Sequence, residues 1–317
     1  MSLLGIFATA ILPIVAIAAA GFALGRLRDV DADPLNTVTV YVLVPALVFH
    51  SLATTSLGGG TLASIAVGVF LFTGVMAVLA EGTGRALGET EPILGTFVLV
   101  SIFSNAGNYG IPVSEFAFGA VGRSTAVVYI AAQSVAMYTL GVYLAARGDG
   151  EDWRSGMRAI FAIPLIYTVV AALAARYLGV VPAADTATME TLKLVGDSAI
   201  PVMLLILGIE LADTDYSAAA IRVTPAAALK MLVAPVVAVG IAFLIGFQNT
   251  TVARVFVLEC SMPAAVTTLI LTGEFASSVP DGMDATEFAG TAIFLSTVVS
   301  VPLLTGLIAL LQSGVVL

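Results

Sequence analysis

Ser104 to Pro112 read SNAGNYGIP, small and polar residues set inside an otherwise apolar stretch of membrane length. Two Asn, two Gly and a Pro at mid-depth free backbone N–H and C=O groups that lipid cannot bond. Such an interruption is stable only where protein or a water-filled cavity surrounds it. The rest of the chain agrees with a bilayer setting. Its 317 residues are 59% hydrophobic and 10% charged, with a mean hydropathy of +1.08. A soluble domain could not hide that much apolar surface, so the bilayer acts as solvent. The first apolar run, Leu3 to Gly25, lacks a basic leader and is long enough to span, which predicts a retained helix.

Apolar stretches bounded by Gly, Asp and Pro clusters predict an all-α integral membrane protein of ten spans, each of roughly 20 residues. Their limits fall near 3–25, 35–53, 61–80, 92–119, 124–146, 157–178, 190–210, 218–246, 251–277 and 285–312. The charged stretch from Arg147 to Arg158 divides them five and five. Residues 1–147 form the first half, 148–156 a cytoplasmic linker and 157–317 the second half. Pro13 and Pro164, Pro45 and Pro201, and Pro112 and Pro263 recur at offsets of 151, 156 and 151, whereas Pro235 and Pro302 have no counterpart. An odd number of spans per repeat forces the second copy to enter from the opposite face. The outcome is an inverted-topology repeat, an architecture that supports alternating access. Odd-numbered connections carry seven arginines and even-numbered ones four basic residues. That bias predicts a multi-pass cell-membrane protein with both termini outside.

Charge narrows the function classes. Twenty-one acidic residues face twelve basic ones, ten of them Arg. An acidic, Lys-poor exterior suits concentrated salt, as in a halophile, and the absence of a basic patch disfavours nucleic acid as a partner. The single Cys260 allows no intrachain disulfide and no Cys-based metal motif. The sequence contains no HExxH, no GxSxG and no GxxxxGK[ST], so neither an intramembrane enzyme nor an ATP-driven pump is expected, and no cofactor is implied.

Four stretches resemble a known group: YVLVPALVFHSLA (Tyr41–Ala53), SNAGNYGIPV (Ser104–Val113), SAIPVMLLILGIEL (Ser198–Leu211) and SMPAAVTTLIL (Ser261–Leu271). The chain resembles prokaryotic members of the auxin efflux carrier family, within the grouping that includes bile acid:sodium symporters. The resemblance implies a 5+5 inverted repeat in which helices 4 and 9 are discontinuous and cross. It implies a scaffold of spans 1, 2, 6 and 7 that often forms a homodimer, and a moving transport unit of spans 3–5 and 8–10. It also implies a small organic anion as substrate, auxin-like or a dicarboxylate, carried by alternating access of elevator type. The alternative within this grouping is a Na⁺-coupled symporter of bile-acid-like anions. From a different class, a channel or a non-transporting membrane sensor would share the hydropathy but not the internal repeat.

Candidate residues follow from the two breaks. Pro112 and Pro263 each deprive a carbonyl one turn earlier of its helical donor, and the half-helix N-termini that result favour a carboxylate. Asn105 and Asn108 offer donors and acceptors to a substrate, or glue helices together. Tyr109 lies between them and Pro112, and Gln133, with Tyr129 and Tyr138, is expected to face the crossover. Glu259, four residues before Pro263, needs a partner or a proton inside hydrocarbon. The resemblance to the sodium symporters makes Ser104, Asn105, Glu259 and Met262 candidates for ion coupling, with Na⁺ at Ser104, Asn105 and Glu259; H⁺ carried by Glu259 is the other possibility. Lys230 is a candidate to attract the anion, to pair with Glu259 or Asp197, or to snorkel to the surface. Asp197 is as well suited to capping a local break as to binding substrate. Glu115 is expected in the first turn of the second half-helix and His50 in helix contacts.

Overall fold

The computed structural model describes residues 12–28, 30–55, 57–147, 164–213, 220–276 and 284–317. The linker 148–156 and the start of the first expected span lie outside these. The described residues fold into helices, with one isolated β-bridge as the sole strand-like pairing among them. We number the helices α1 (Leu12–Arg28), α2 (Asp33–Thr54), α3 (Gly59–Ala86), α4 (Ile93–Ile102), α5 (Ala106–Ala145), α6 (Pro164–Tyr177) and α7 (Ala187–Asp213). α8 runs from Ala220–Ala228 through Leu229–Val233 into Ala234–Ile245; α9 (Thr250–Cys260), α10 (Thr267–Phe275) and α11 (Ala285–Ser313) complete the set. Among the described residues, six helices are long and apolar enough to cross a membrane: α2, α3, α5, α7, α8 and α11. In hydrocarbon a helix bonds every backbone group within itself, which is why this composition yields helices throughout.

The expected span at 92–119 is divided between α4 and the first arm of α5, and that at 251–277 between α9 and α10. α5 turns a corner at Gly119, whose φ of 64° and ψ of −149° suit a residue without Cβ. Wide π turns occupy Thr39–Leu43, Ala106–Gly110, Met137–Gly141 and Leu229–Val233, and after all but Met137–Gly141 a proline follows two residues later: Pro45, Pro112 and Pro235. A proline ring collides with the carbonyl four residues back; opening the turn by one residue relieves the collision without ending the helix. Pro201 and Pro302 are accommodated inside α7 and α11.

Packing sorts the helices into two groups. α1 lies along α7, α6 lies along α2, and α2 meets α7. In the other group α3 contacts α4, α5 and α8, while α8 contacts α9 and α11, α4 contacts α11, and α9 contacts α5. The α1–α7 approach is backbone to backbone: a Cβ on Gly21 would strike the Leu205 carbonyl, and one on Gly208 would strike the Ala18 carbonyl. Small residues at four-residue spacing, Gly21 and Gly25, create this face. The groups are tied together by charge. Arg123 of α5 binds Glu115 of its own helix and Asp197 of α7 (2.6 Å), and Lys193 holds the second Asp197 oxygen (2.9 Å).

Gly208→Val should separate α1 from α7 and cost about 1–3 kcal/mol, the usual range for overpacking. The expected readout is a lower thermal midpoint in detergent with loss of monodispersity. A variant as stable as the parent would contradict the close approach.

Candidate functional site

The two breaks meet each other. Residues 103–105 between α4 and α5 run antiparallel to residues 263–265 between α9 and α10, bridged at Ser104 and Ala264. The Asn105 N–H donates to the Pro263 carbonyl (2.8 Å), and the Ala265 N–H donates to the Phe103 carbonyl (3.0 Å). Side chains bond the outer edges. Gln133 of α5 clamps Ser104, accepting from its N–H (3.1 Å) and donating to its carbonyl (2.8 Å). Ser296 of α11 accepts from the Ala264 N–H (3.1 Å). Backbone groups freed by two broken helices are thus satisfied by one another and by two side chains.

A cavity of about 480 Å³ opens beside this bridge, within the range of roughly 300–1,000 Å³ common for small-molecule sites. Ser104, Asn105 and Asn108 line it from the first break, Gln133, Ser134 and Tyr138 from the second arm of α5, and Val266 and Thr267 from the second break. Thr37 and Thr39 of α2, Leu165 of α6 and Met203 of α7 close the opposite wall. The cavity therefore lies between the two helix groups. The N-terminal residues of both α5 and α10 border it, so two partial positive helix ends converge there. Asn105 is 5% exposed and its Nδ2 has no partner. Of the ionisable acids and bases, Asp33 alone lines the cavity, at its exposed rim.

Other candidates lie behind the wall. Lys230, fully buried on α8, donates to the Ser104 hydroxyl (2.7 Å) and the Cys260 carbonyl (3.2 Å). Glu259, fully buried on α9, takes the Ser114 hydroxyl on Oε1 (2.6 Å), and its Oε2 has no partner. It lies so near Gly110 that a Cβ there would strike the carboxylate. No hydrogen bond or ion pair joins Glu259 to Lys230, Ser104 or Asn105 among the described residues, so the expected pairing with Lys230 is not formed. Tyr109 is buried against Ser300 (3.3 Å), away from the cavity wall. Pro112 and Met262 are buried, and Pro263 contributes its carbonyl to the bridge. Asp197 binds Arg123 and Lys193 instead of capping a break, and Glu115 lies past the first turn of α5, paired with Arg123. His50 sits near that ion network. No group of three His, Cys, Asp or Glu side chains suited to a metal occurs among the described residues. Ser114 and Ser296 were not foreseen: lone serines in apolar helices carry no sequence signal of their partners.

Long apolar helices around a cavity bordered by two broken spans define a multi-pass membrane protein of the transporter class. Comparison with known proteins bears this out: the membrane transport protein family matches residues 6–308, and the chain belongs to that auxin-efflux-carrier-like family. A protein of Methanothermobacter thermautotrophicus named an uncharacterized transporter is 27% identical over 284 residues, covering 87% of this chain and 88% of its own. A second transporter so named, from Methanocaldococcus jannaschii, is 24% identical over 252 residues, covering 78% and 81%. A Rhizobium meliloti protein provisionally named a malonate transporter is 22% identical over 314 residues, covering 96% and 95%.

Gln133→Met removes both bonds to Ser104 and leaves two buried backbone groups unpaired, a loss of about 1–3 kcal/mol for each. The thermal midpoint should fall well below that of a Ser134→Ala control. Equal midpoints would mean that the clamp is dispensable.

Proposed function

We propose that this protein is a secondary active transporter of a small organic carboxylate, working by alternating access around the paired breaks. One observation carries the reading: Asn105, which lines the cavity, has a buried amide donor without a partner. A buried donor without an acceptor is costly, and a ligand oxygen would satisfy it. The converging helix ends, the Asn108 and Gln133 amides and the absence of a carboxylate from the inner wall favour a negatively charged ligand. The relative named for malonate is consistent with a dicarboxylate.

The helix contacts support an inverted repeat. Exchanging α1 with α6, α2 with α7, α3 with α8, the α4–α5 break with the α9–α10 break, and the second arm of α5 with α11 maps the contacts onto one another. Thus α1–α7 becomes α6–α2, α3–α4 becomes α8–α9, and α4–α11 becomes α9–α5. In this reading α1, α2, α6 and α7 form the scaffold and the remaining helices move against it, carrying a substrate bound at the boundary. Coupling falls to Glu259. Its second oxygen is buried without a partner, and a carboxyl in hydrocarbon requires a proton or a cation. A proton on that second oxygen needs no further ligand, and it is the coupling ion of this reading.

The purified protein in proteoliposomes should accumulate radiolabelled malonate or a related carboxylate under an imposed proton gradient and not under a Na⁺ gradient. Asn105→Ala should weaken apparent affinity about tenfold, the loss of one hydrogen bond to a charged group. Glu259→Gln should abolish accumulation while leaving carboxylate exchange. Failure to carry any carboxylate under either gradient would end the reading.

A further inference from the structure

Lys230 is a buried amine with no counterion among the described residues. It is wholly buried, its ammonium contacts a hydroxyl and a carbonyl, and the Phe72 ring centroid lies 5.5 Å away. No carboxylate forms an ion pair with it among the described residues, because Glu259 bonds Ser114 instead. A charge buried for structural purposes is ordinarily matched by an opposite one, since desolvation otherwise outweighs what hydroxyl and carbonyl contacts return. The missing negative charge has an obvious place to arrive. The Ser104 oxygen that accepts from Lys230 belongs to a residue lining the cavity, next in the chain to Asn105 with its unpartnered amide donor. Ser104 also donates its own hydrogen to the Cys260 carbonyl, at a long 3.3 Å. That carbonyl already accepts from Lys230, so the Ser104 hydrogen can turn toward an entering carboxylate and leave no acceptor unsatisfied.

We propose that Lys230 is the fixed countercharge of the cavity, acting on the bound carboxylate through the Ser104 hydroxyl and selecting anions over uncharged molecules of the same shape. This rests on the carboxylate reading above and adds to it the source of charge selectivity. An ammonium donating to Ser104 polarises its O–H, making it a stronger donor to an anion. Lys230 thereby acts as a positioning residue one hydroxyl behind the wall, where a direct contact would hold the anion too tightly for release.

The test uses Lys230→Met, Ser104→Ala and the double variant in the full-length protein, with malonate and its uncharged diamide as probes. Replacing an unmatched buried charge by an apolar side chain of similar length should leave the thermal midpoint unchanged or raised. Malonate affinity should fall roughly ten- to hundredfold, the loss expected for one charge-assisted hydrogen bond, and the preference for malonate over the diamide should collapse. Ser104→Ala should give the same loss, and the double variant should be no worse than either single one. A Lys230→Met protein with a lowered midpoint and intact anion preference would assign the lysine to structure and overturn the proposal. Additive losses in the double variant would overturn the route through Ser104. A parent protein that binds malonate no better than the diamide would instead defeat the anion reading itself and this inference with it.

Discussion

Peptide groups released from a helix inside hydrocarbon must find partners in protein, and this constraint governs the interior of the molecule. One broken helix could not meet it. Two broken helices meeting antiparallel can, because each supplies the acceptors and donors that the other lacks, as Asn105 does with Pro263 and Ala265 with Phe103. The bridge then dictates what surrounds it: an amide from α5 and a hydroxyl from α11 on its two outer edges. The cavity is a by-product of the same geometry, since four helix ends converging on a short extended pair cannot fill the space that continuous helices would occupy.

Much of this was legible in the residues. Apolar composition dictated helices in a bilayer, and Asn105, Gly107, Asn108 and Gly110 crowding against Pro112 marked the first break because each weakens a helix on its own. The second break was legible mainly through Pro263. Its neighbours Ala264 and Ala265 would pass in any helix, and they leave the helix to pair with the first break, Ala264 bridged to Ser104 and the Ala265 N–H bonded to the Phe103 carbonyl. The π turns before Pro45, Pro112 and Pro235 were none of them read from the sequence.

The least legible part was which charge meets which. Opposite sign and common depth suggested Lys230 with Glu259, but sequence spacing on different helices contains no distance between side chains. Ser104 and the Cys260 carbonyl take the ammonium, whereas Ser114 takes the carboxylate. Serine hydroxyls thus decided the arrangement, and they are too common in membrane helices to signal it. Likewise Asp197 was read against its own helix, while its partner Arg123 lies across the boundary between helix groups.

That boundary tie has a mechanical consequence. In the proposed alternating-access movement, sliding of α5 past α7 would first part Arg123 from Asp197, so the bond would act as a detent for one resting position. Its members differ in access to water: the side chain of Lys193 is 60% exposed and that of Arg123 only 15%. Dissolved ions weaken the outer bond far more than the inner one. As salt rises, the catch would remain set by arginine while its lysine reinforcement faded, so the ease of leaving rest would vary only weakly with salinity.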